Sequence, residues 1–181
     1  MNVAKAESVQ FSIGRIASLA CLLEVTASKP GNVHRGADFE DLTFYDFVAS
    51  AEILGQAIDA RASNSVGQLI LETVQATDSI VGTNTNLGIA LLICPLAIVA
   101  SAGPLSTSAV QRQLKQLTAD DARQIYEAIR MAQPGGLGTC DQMDVAQEPP
   151  ADILAAMRYA SDRDLIARQY SNGFEQVFNE V

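Results

Sequence analysis

The sequence predicts an all-α fold, a single-domain bundle of about seven or eight helices around a central helix that carries no charge. Three observations support this prediction. Apolar residues recur at helical spacing along most of the chain, no stretch shows sustained two-residue alternation with β-branched residues, and residues 79–111 contain no charged side chain. A helix that is apolar on all sides is typical of the buried centre of a helical domain. The chain shows no linker or repeat, so we expect one domain over residues 1–181.

The first half of the chain is predicted to form three helices before the central one. Apolar positions from Val9 to Leu23 indicate a helix over residues 4–26, which Pro30-Gly31 would terminate. Thr43 is a suitable N-cap for the second helix, and Asn64 or Ser65 for the third.

The second half is predicted to contain the central helix and four more. Gly103-Pro104 should end the central helix, and Thr118 with Asp121 resembles an acidic capping box. The remaining helices are predicted over residues 108–117, from Thr118 to about residue 131, over 152–160 and over 162–178.

Composition excludes several classes of partner. The net charge is −9 and no basic run of five residues occurs, which argues against nucleic-acid binding. The unbroken apolar run over residues 87–100 is short for a membrane span and contains Pro95. The three cysteines form no C-x-x-C pair, and their odd number is unusual for a disulfide framework. The N-terminal residues lack the apolar core of an export signal. We therefore expect a cytoplasmic protein with no membrane partner.

Four polar segments interrupt this apolar sequence. The first polar segment is Glu24 with residues 28–41, the second is residues 83–88, the third is 135–145 and the fourth is 161–170. Dense charge of both signs in a Gly/Pro-rich loop is costly to bury without partners. Loops that a rigid scaffold holds are frequent functional sites, although the first segment is equally consistent with a solvated turn.

Each of the other three segments has both a structural and a functional interpretation. Asn84 and Asn86 open the central helix, where they could cap it or bind an anion beside its dipole. Asp141 and Asp144 are three residues apart, so they could hold a divalent cation if helical, or cap the next element if not. In the fourth segment, acids at a helix start and an i,i+4 pair with Arg168 would have ordinary structural roles.

Together, these segments supply the groups needed for a metal–polyphosphate site. A lysine, a helix N-terminus and several carboxylates suit a triphosphate with Mg²⁺, which prefers oxygen ligands and often bridges carboxylates to phosphates. The single histidine, His34, excludes multi-histidine zinc sites, and no G-x-S-x-G motif is present.

An ordered set of motifs in this chain resembles the triphosphoribosyl-dephospho-CoA synthase family. These motifs are E-V-T-A-S-K-P-G-N-V, G-A-D-F-E-D-L, F-V-A-S-A, N-T-N-L-G-I and D-R-D-L-I-A-R, in a similarity that extends from about Ser18 to Phe174. The resemblance implies an all-helical enzyme whose substrates are ATP and dephospho-CoA. In that reaction a ribose hydroxyl of dephospho-CoA attacks the anomeric carbon of the ATP ribose, adenine leaves, and the triphosphate stays attached.

The resemblance places Glu24, Lys29, Asn32, Asp41, Asn84, Gly88, Asp162 and Arg168 in the site. With the polar segments, it gives Glu24 and Asp41 as catalytic candidates. The candidates for substrate binding are Lys29, Asn32, His34, Arg35, Asn84, Asn86, Gly88 and Arg168. The candidates for Mg²⁺ binding are Asp38, Asp141, Asp144, Asp162 and Asp164. One carboxylate would act as general base and another acid would protonate adenine, with the individual roles left open.

The chain differs from the usual family pattern at two places. Phe39 stands where members commonly have histidine, and N-T-N-L-G replaces the common N-T-H-K-G. An alternative function therefore stays open, namely a non-catalytic or altered-acceptor nucleotide-binding accessory protein in cofactor biosynthesis. Self-association as a homodimer is also among the expectations.

Overall fold

The computed structural model describes residues 10–61, 65–135 and 138–179. Within these ranges the fold is all-α, as predicted, with nine helices and no strand. The helices are α1 (Ile13–Thr26), α2 (Phe44–Ala60), α3 (Val66–Val81), α4 (Leu87–Ala102), α5 (Thr107–Lys115), α6 (Ala119–Ala132), α7 (Ile153–Ala160), α8 (Leu165–Asn172) and α9 (Glu175–Asn179).

The central position of α4 is confirmed. It packs against α1, α2, α3, α5, α6 and α8, and its buried residues include Leu87, Leu91, Cys94 and Ile98. Gly103 ends it, because the Gly103 N–H caps the helix on the Val99 carbonyl at 3.1 Å. None of the described helices is by itself long and apolar enough to cross a membrane; α4 and α5, bent by 107°, meet the length and composition criteria only as a pair.

The first helix begins later than predicted and ends at the predicted residue. Residues 10–12 are not helical, because Ser12 is the N-cap and its Oγ accepts from the Arg15 N–H at 3.2 Å. The predicted helical residues 4–9 lie outside the described ranges. At the other end α1 stops at Thr26, as predicted, since Ala27 already has an extended backbone.

The predicted helix over residues 162–178 is wrong as a single element. It is two helices, α8 and α9, and α8 begins only after Asp164. Gly173 and Phe174 have φ values of 75° and 64°, in the left-handed region that ends a helix. This turn directs Phe174 into the core, where its ring lies 5.5 Å from that of Tyr170. Burial of the Phe174 ring offsets the cost of the break.

Two helix pairs bring distant polar segments to one end of the bundle. Helices α1 and α2 are antiparallel, because Gly14 N–H donates to Asp59 Oδ1 at 2.9 Å while Ser18 Oγ donates to the Ala51 carbonyl at 2.9 Å. The end of α1 therefore lies beside the start of α2.

Helices α4 and α8 run in the same direction. A methyl group added at Gly88 would lie 3.0 Å from Ile166 Cδ1, and one turn later Tyr170 Oη donates to the Leu91 carbonyl at 2.6 Å. The second and fourth polar segments, which contain the starts of these two helices, are thus held at the same end of the bundle.

The predicted capping residues are confirmed at α2, α3 and α6. Asp46 Oδ2 accepts from both the Thr43 N–H and its hydroxyl at 2.8 Å, and Ser65 caps α3. Asn64, the other candidate cap for α3, lies outside the described ranges. In α6 the Asp121 carboxylate accepts from Thr118 N–H at 2.8 Å and from Gly67 N–H at 2.8 Å, which ties α6 to the start of α3.

Asp121 is expected to make stability depend on pH at the acid end. Burial opposes its ionisation, but the hydrogen bonds from Thr118 and Gly67 outweigh burial and hold the pKa of Asp121 below its ordinary value. A depressed pKa contributes stability that is complete above the unfolded-state pKa of about 4 and is lost as pH falls through the folded-state value. Asp121→Asn should lower the unfolding free energy at pH 7 by about 2 kcal/mol, as expected for lost hydrogen bonds to a charged group.

Urea unfolding of both proteins from pH 2 to pH 7 checks this expectation. The difference between wild type and Asp121→Asn should shrink as the carboxylate is protonated. A difference that stays constant over this range would show that ionised Asp121 does not stabilise the contact between α3 and α6.

Candidate active site

The start of α4 is fixed by buried polar contacts to α2 and α3. Asn86 Nδ2 donates to Thr77 Oγ1 at 2.8 Å and to the Ser50 carbonyl at 3.5 Å, and the hydroxyls of Ser50 and Thr85 are hydrogen-bonded to each other. Asn86 is only 4% exposed, so its amide is part of the structural frame. Asn84 Oδ1 accepts from Leu87 N–H at 3.2 Å, which is a capping contact. Both asparagines of the second polar segment therefore have structural partners.

The first polar segment borders this frame through the end of α1. Cys21 lines a small pocket together with Phe47, Thr85 and Asn86, and Glu24 lies one turn further along α1. Burial, with a smaller contribution from the nearby Glu24 charge, raises the pKa of Cys21 to about 11. Glu24 is thus held close to the start of α4.

Glu24 and Lys29 form an ion pair across the turn that follows α1. The two side chains are 46% and 36% exposed, so the pair faces solvent and an incoming anion has access to the ammonium group. The resemblance placed both residues in the site, and the structure brings them together. The neighbouring Asn32 is exposed, and its N–H donates to the Lys29 carbonyl at 3.3 Å.

His34 shapes the loop rather than forming part of a polar side-chain cluster. The backbones of His34 and Ala37 exchange hydrogen bonds of 3.1 and 2.8 Å, and His34 Nδ1 accepts from the Gly36 N–H at 3.2 Å. This small hairpin leaves the Arg35 side chain exposed at its tip. Arg35 is therefore available to solution, whereas His34 is engaged in the turn.

The two aspartates before α2 differ in their contacts. Asp38 Oδ1 accepts from the Phe44 N–H at 2.6 Å and so caps the helix. Asp41 is exposed and makes no hydrogen bond or ion pair with the residues that the structure describes. Of this pair, Asp41 has the carboxylate that is available to a substrate.

The fourth polar segment also contains one aspartate that caps a helix and one whose carboxylate has no partner within the described ranges. Asp164 caps α8 by accepting from the Ala167 N–H at 2.7 Å, while Arg168 Nε donates to the Ser161 carbonyl at 3.0 Å. The i,i+4 ion pair between Asp164 and Arg168 is therefore not formed. Asp162 is exposed and has no hydrogen-bond partner within the described ranges.

The third polar segment is not helical where it is described, so the shared helix face proposed for Asp141 and Asp144 does not exist. Asp144 accepts from the N–H groups of Ala146 and Cys140 at 2.8 and 2.7 Å, and these hydrogen bonds lower its pKa. Asp144 thus stabilises its own loop rather than capping the next helix, whose N-cap is Asp152, and Asp141 is exposed. Arg163 donates to Cys140 Sγ at 2.9 Å, which joins the third segment to the fourth.

An open cleft of about 460 Å³ lies where the end of α3, the second polar segment and the end of α6 meet. Asn84 and Asn86 line it, whereas Lys29, Asp41 and Asp162 do not. The elements that carry Lys29, Asp41 and Asp162 therefore begin or end at the same end of the bundle as Asn84, but these three residues do not line this cleft. The lining residues that carry the argument below are Asp78, Thr83, Met131, Ala132 and Gln133.

Some residues of this end have no motif in the sequence. Asp78 and Gln133 lie at the ends of α3 and α6, where only the glycine and proline that follow indicate that a helix stops. The link between Arg163 and Cys140 joins two segments that are distant in sequence, and neither residue type indicates such a pairing.

Among the described residues no three His, Cys, Asp or Glu side chains converge into a group that could hold a metal ion. Asp38, Asp144 and Asp164 each accept backbone hydrogen bonds instead. A Mg²⁺ ion that enters with a nucleotide needs only one or two protein carboxylates, because phosphates and water supply its other ligands. The exposed Asp41, Asp141 and Asp162 fit that more limited role.

Comparison with known proteins agrees with the resemblance. The family model for ATP:dephospho-CoA triphosphoribosyl transferase, CitG, matches residues 10–181. Neither a curated protein nor a solved structure matches the chain significantly. Because the match covers all the polar segments and nearly the whole chain, this protein belongs to the CitG family of ATP:dephospho-CoA triphosphoribosyl transferases.

Proposed function

We propose that this protein transfers the triphosphoribosyl group of MgATP to a ribose hydroxyl of dephospho-CoA and releases adenine. The family match supports the reaction. The observation that carries the assignment to a site is the meeting of the ends of α1 and α3 with the starts of α2, α4 and α8 at one end of the bundle. The elements that meet there carry Lys29, Arg168 and the exposed carboxylates of Asp41 and Asp162, residue types that suit a triphosphate with its magnesium ion.

The reaction exchanges one bond at the anomeric carbon for another. The acceptor oxygen forms a bond to C1′ of the ATP ribose while the bond from C1′ to the adenine nitrogen breaks. The acceptor hydroxyl gives its proton to a protein carboxylate, and another protein acid gives a proton to adenine as it leaves, so the overall reaction consumes no proton. No redox change occurs, so the protein must position two substrates and move protons.

Asp41 is the general base in this proposal. Its carboxylate is exposed and has no partner among the described residues, so it is available to accept the hydroxyl proton. Glu24 is paired with Lys29 and positions the ammonium group. When a triphosphate arrives, Lys29 would exchange part of its contact with Glu24 for phosphate oxygens, assisted by Arg168 and the exposed Arg35.

Magnesium would enter as part of the ATP complex, with Asp162 as a candidate for an additional ligand. Asp162 precedes α8, which begins at the same end as α4. When bound, the ion would neutralise phosphate charge that the protein, with its net charge of −9, would otherwise repel.

An adenine-release assay tests this function. The protein is incubated with ATP, magnesium and dephospho-CoA, and free adenine and the coupled product are measured by chromatography and mass spectrometry. We expect equal amounts of adenine and product. Binding of ATP without release of adenine would contradict the proposal and favour the accessory nucleotide-binding role.

A homodimer in the cytoplasm is the assembly and location that we propose. The outer face of α1 carries Ile16, Leu19 and Leu23, which are 56%, 48% and 62% exposed. No charged residue lies between Ile16 and Leu23, so two copies with a net charge of −9 each could meet there with little repulsion. A mass of 19.2 kDa by light scattering at micromolar concentration would contradict the dimer.

A further inference from the structure

The cleft at the ends of α3 and α6 has the wrong electrostatics for a triphosphate. Both helices end there in left-handed caps, at Gly82 with φ 74° and Gln133 with φ 43°. A helix C-terminus carries roughly half a negative charge, and Asp78 adds a full one. Among the residues that the structure describes, those lining the cleft include no lysine, arginine or histidine. The N-terminus of α4, at Asn84 and Asn86, also borders the cleft and offsets part of this negative charge. Two helix C-termini and Asp78 outweigh it, so the cleft disfavours phosphate groups.

The residues that line this cleft suit a flat, neutral group that donates hydrogen bonds. Val74, Met131 and Ala132 provide apolar surface, and a methionine thioether makes favourable contacts with aromatic rings. Around them lie the Asp78 carboxylate, the Thr83 hydroxyl and the Gln133 amide. Thr83 makes no side-chain hydrogen bond within the described ranges, so its hydroxyl is available. The volume of about 460 Å³ lies in the usual range for small-molecule pockets.

The cleft also borders the part of the bundle that carries Glu24. Asn86 lines both the cleft and the small pocket beside Cys21, and Cys21 lies one turn before Glu24 on α1. A nucleotide could therefore place its base in the cleft and extend its phosphates away from Asp78, towards Lys29.

We propose that this cleft is the subsite for the adenine ring of ATP, with Asp78 accepting a hydrogen bond from the exocyclic amino group and Thr83 bonding a ring nitrogen. The inference rests on the proposed function and adds that the adenine ring and the phosphates bind in separate parts of the site. The base lies at the helix C-termini and the phosphates lie on the side of Lys29.

Isothermal titration calorimetry with four probes tests this division. The probes are ATP, ITP and inorganic triphosphate, each with magnesium, and adenosine. The variants are Asp78→Asn and Thr83→Val, which keep side-chain size, and Lys29→Ala. Glu127→Gln is the matched control, because Glu127 is an exposed carboxylate on α6 outside the cleft.

The two cleft variants should weaken binding of the base, and the lysine variant should weaken binding of the phosphates. Asp78→Asn replaces a charge-assisted hydrogen bond by a neutral one, and Thr83→Val removes a hydrogen bond. Each should weaken ATP and adenosine binding by up to about tenfold and leave inorganic triphosphate unchanged. Lys29→Ala should weaken ATP and triphosphate and leave adenosine unchanged. Wild type should prefer ATP to ITP, which has an oxygen in place of the amino group, and Asp78→Asn should reduce that preference. Glu127→Gln should behave like wild type.

The outcomes separate this inference from the function. If wild type releases adenine but the two cleft variants bind all four probes as wild type does, the subsite is overturned and the function stands. If wild type neither binds ATP nor releases adenine, the function fails, and the adenine subsite fails with it.

Discussion

Replacement of Asp41 by asparagine is expected to lower the rate of adenine release by a factor of about 10² to 10⁴, the usual contribution of a general base. The amide cannot accept the proton of the attacking hydroxyl at neutral pH. Because Asp41 is exposed and makes no hydrogen bond or ion pair with the described residues, the melting temperature and the Kd for ATP should stay close to wild type. Single-turnover measurement of free adenine, with a thermal melt in parallel, checks the expectation.

The adjacent Glu40 provides the matched control. Glu40→Gln removes an exposed carboxylate from the same loop, and we expect this variant to retain wild-type activity. If Asp41→Asn releases adenine within twofold of wild type, Asp41 is not the base. Glu24→Gln would then be the next variant to measure.

Replacement of Gly14 by alanine is expected to cause the largest loss of stability, about 3 kcal/mol in the free energy of unfolding. A methyl group there would lie 2.1 Å from the Gly55 carbonyl oxygen and 2.6 Å from Asp59 Cγ. The first neighbour is backbone, so α1 and α2 must separate, and overpacking of this kind typically costs 1–3 kcal/mol. Urea denaturation at neutral pH measures the loss.

Gly88→Ala is the control for this substitution, because Gly88 is also helical. There the added methyl group would meet only the flexible tip of Ile166 at 3.0 Å, and the better helix propensity of alanine offsets the contact. We expect a change below about 1 kcal/mol. Equal losses in the two variants would show that the close approach of α1 and α2 does not limit stability.

The position of the central helix and several helix caps could be predicted from the sequence, because the patterns that indicate them are local. The charge-free stretch gave the position of α4, and short-range patterns gave the caps at Thr43 and Thr118. The break at Gly173 was missed because a buried contact determines it: Phe174 turns inward to pack on Tyr170. A single glycine followed by an apolar residue, such as Gly173-Phe174, occurs in sequences both where a helix continues and where it ends.

The site was only partly predictable, for a different reason. A sequence shows where aspartates are, but their roles depend on loop conformation. Asp38, Asp144 and Asp164 accept backbone N–H groups, whereas Asp41 and Asp162 do not. The predicted ion pair between Asp164 and Arg168 was wrong for this reason. The Asp164 carboxylate accepts the Ala167 N–H, and Arg168 donates to the Ser161 carbonyl instead.

A crystal structure of the protein with MgATP, without acceptor, tests the central claim most directly. We expect phosphate oxygens within about 3 Å of Lys29 Nζ, and the adenine ring between Asp78, Thr83 and Met131. Binding at the other end of the bundle, in the cavity of about 570 Å³ lined by Ile98, Ala102 and Gln113, would contradict the claim. So would a nucleotide whose phosphates lie beside Asp78.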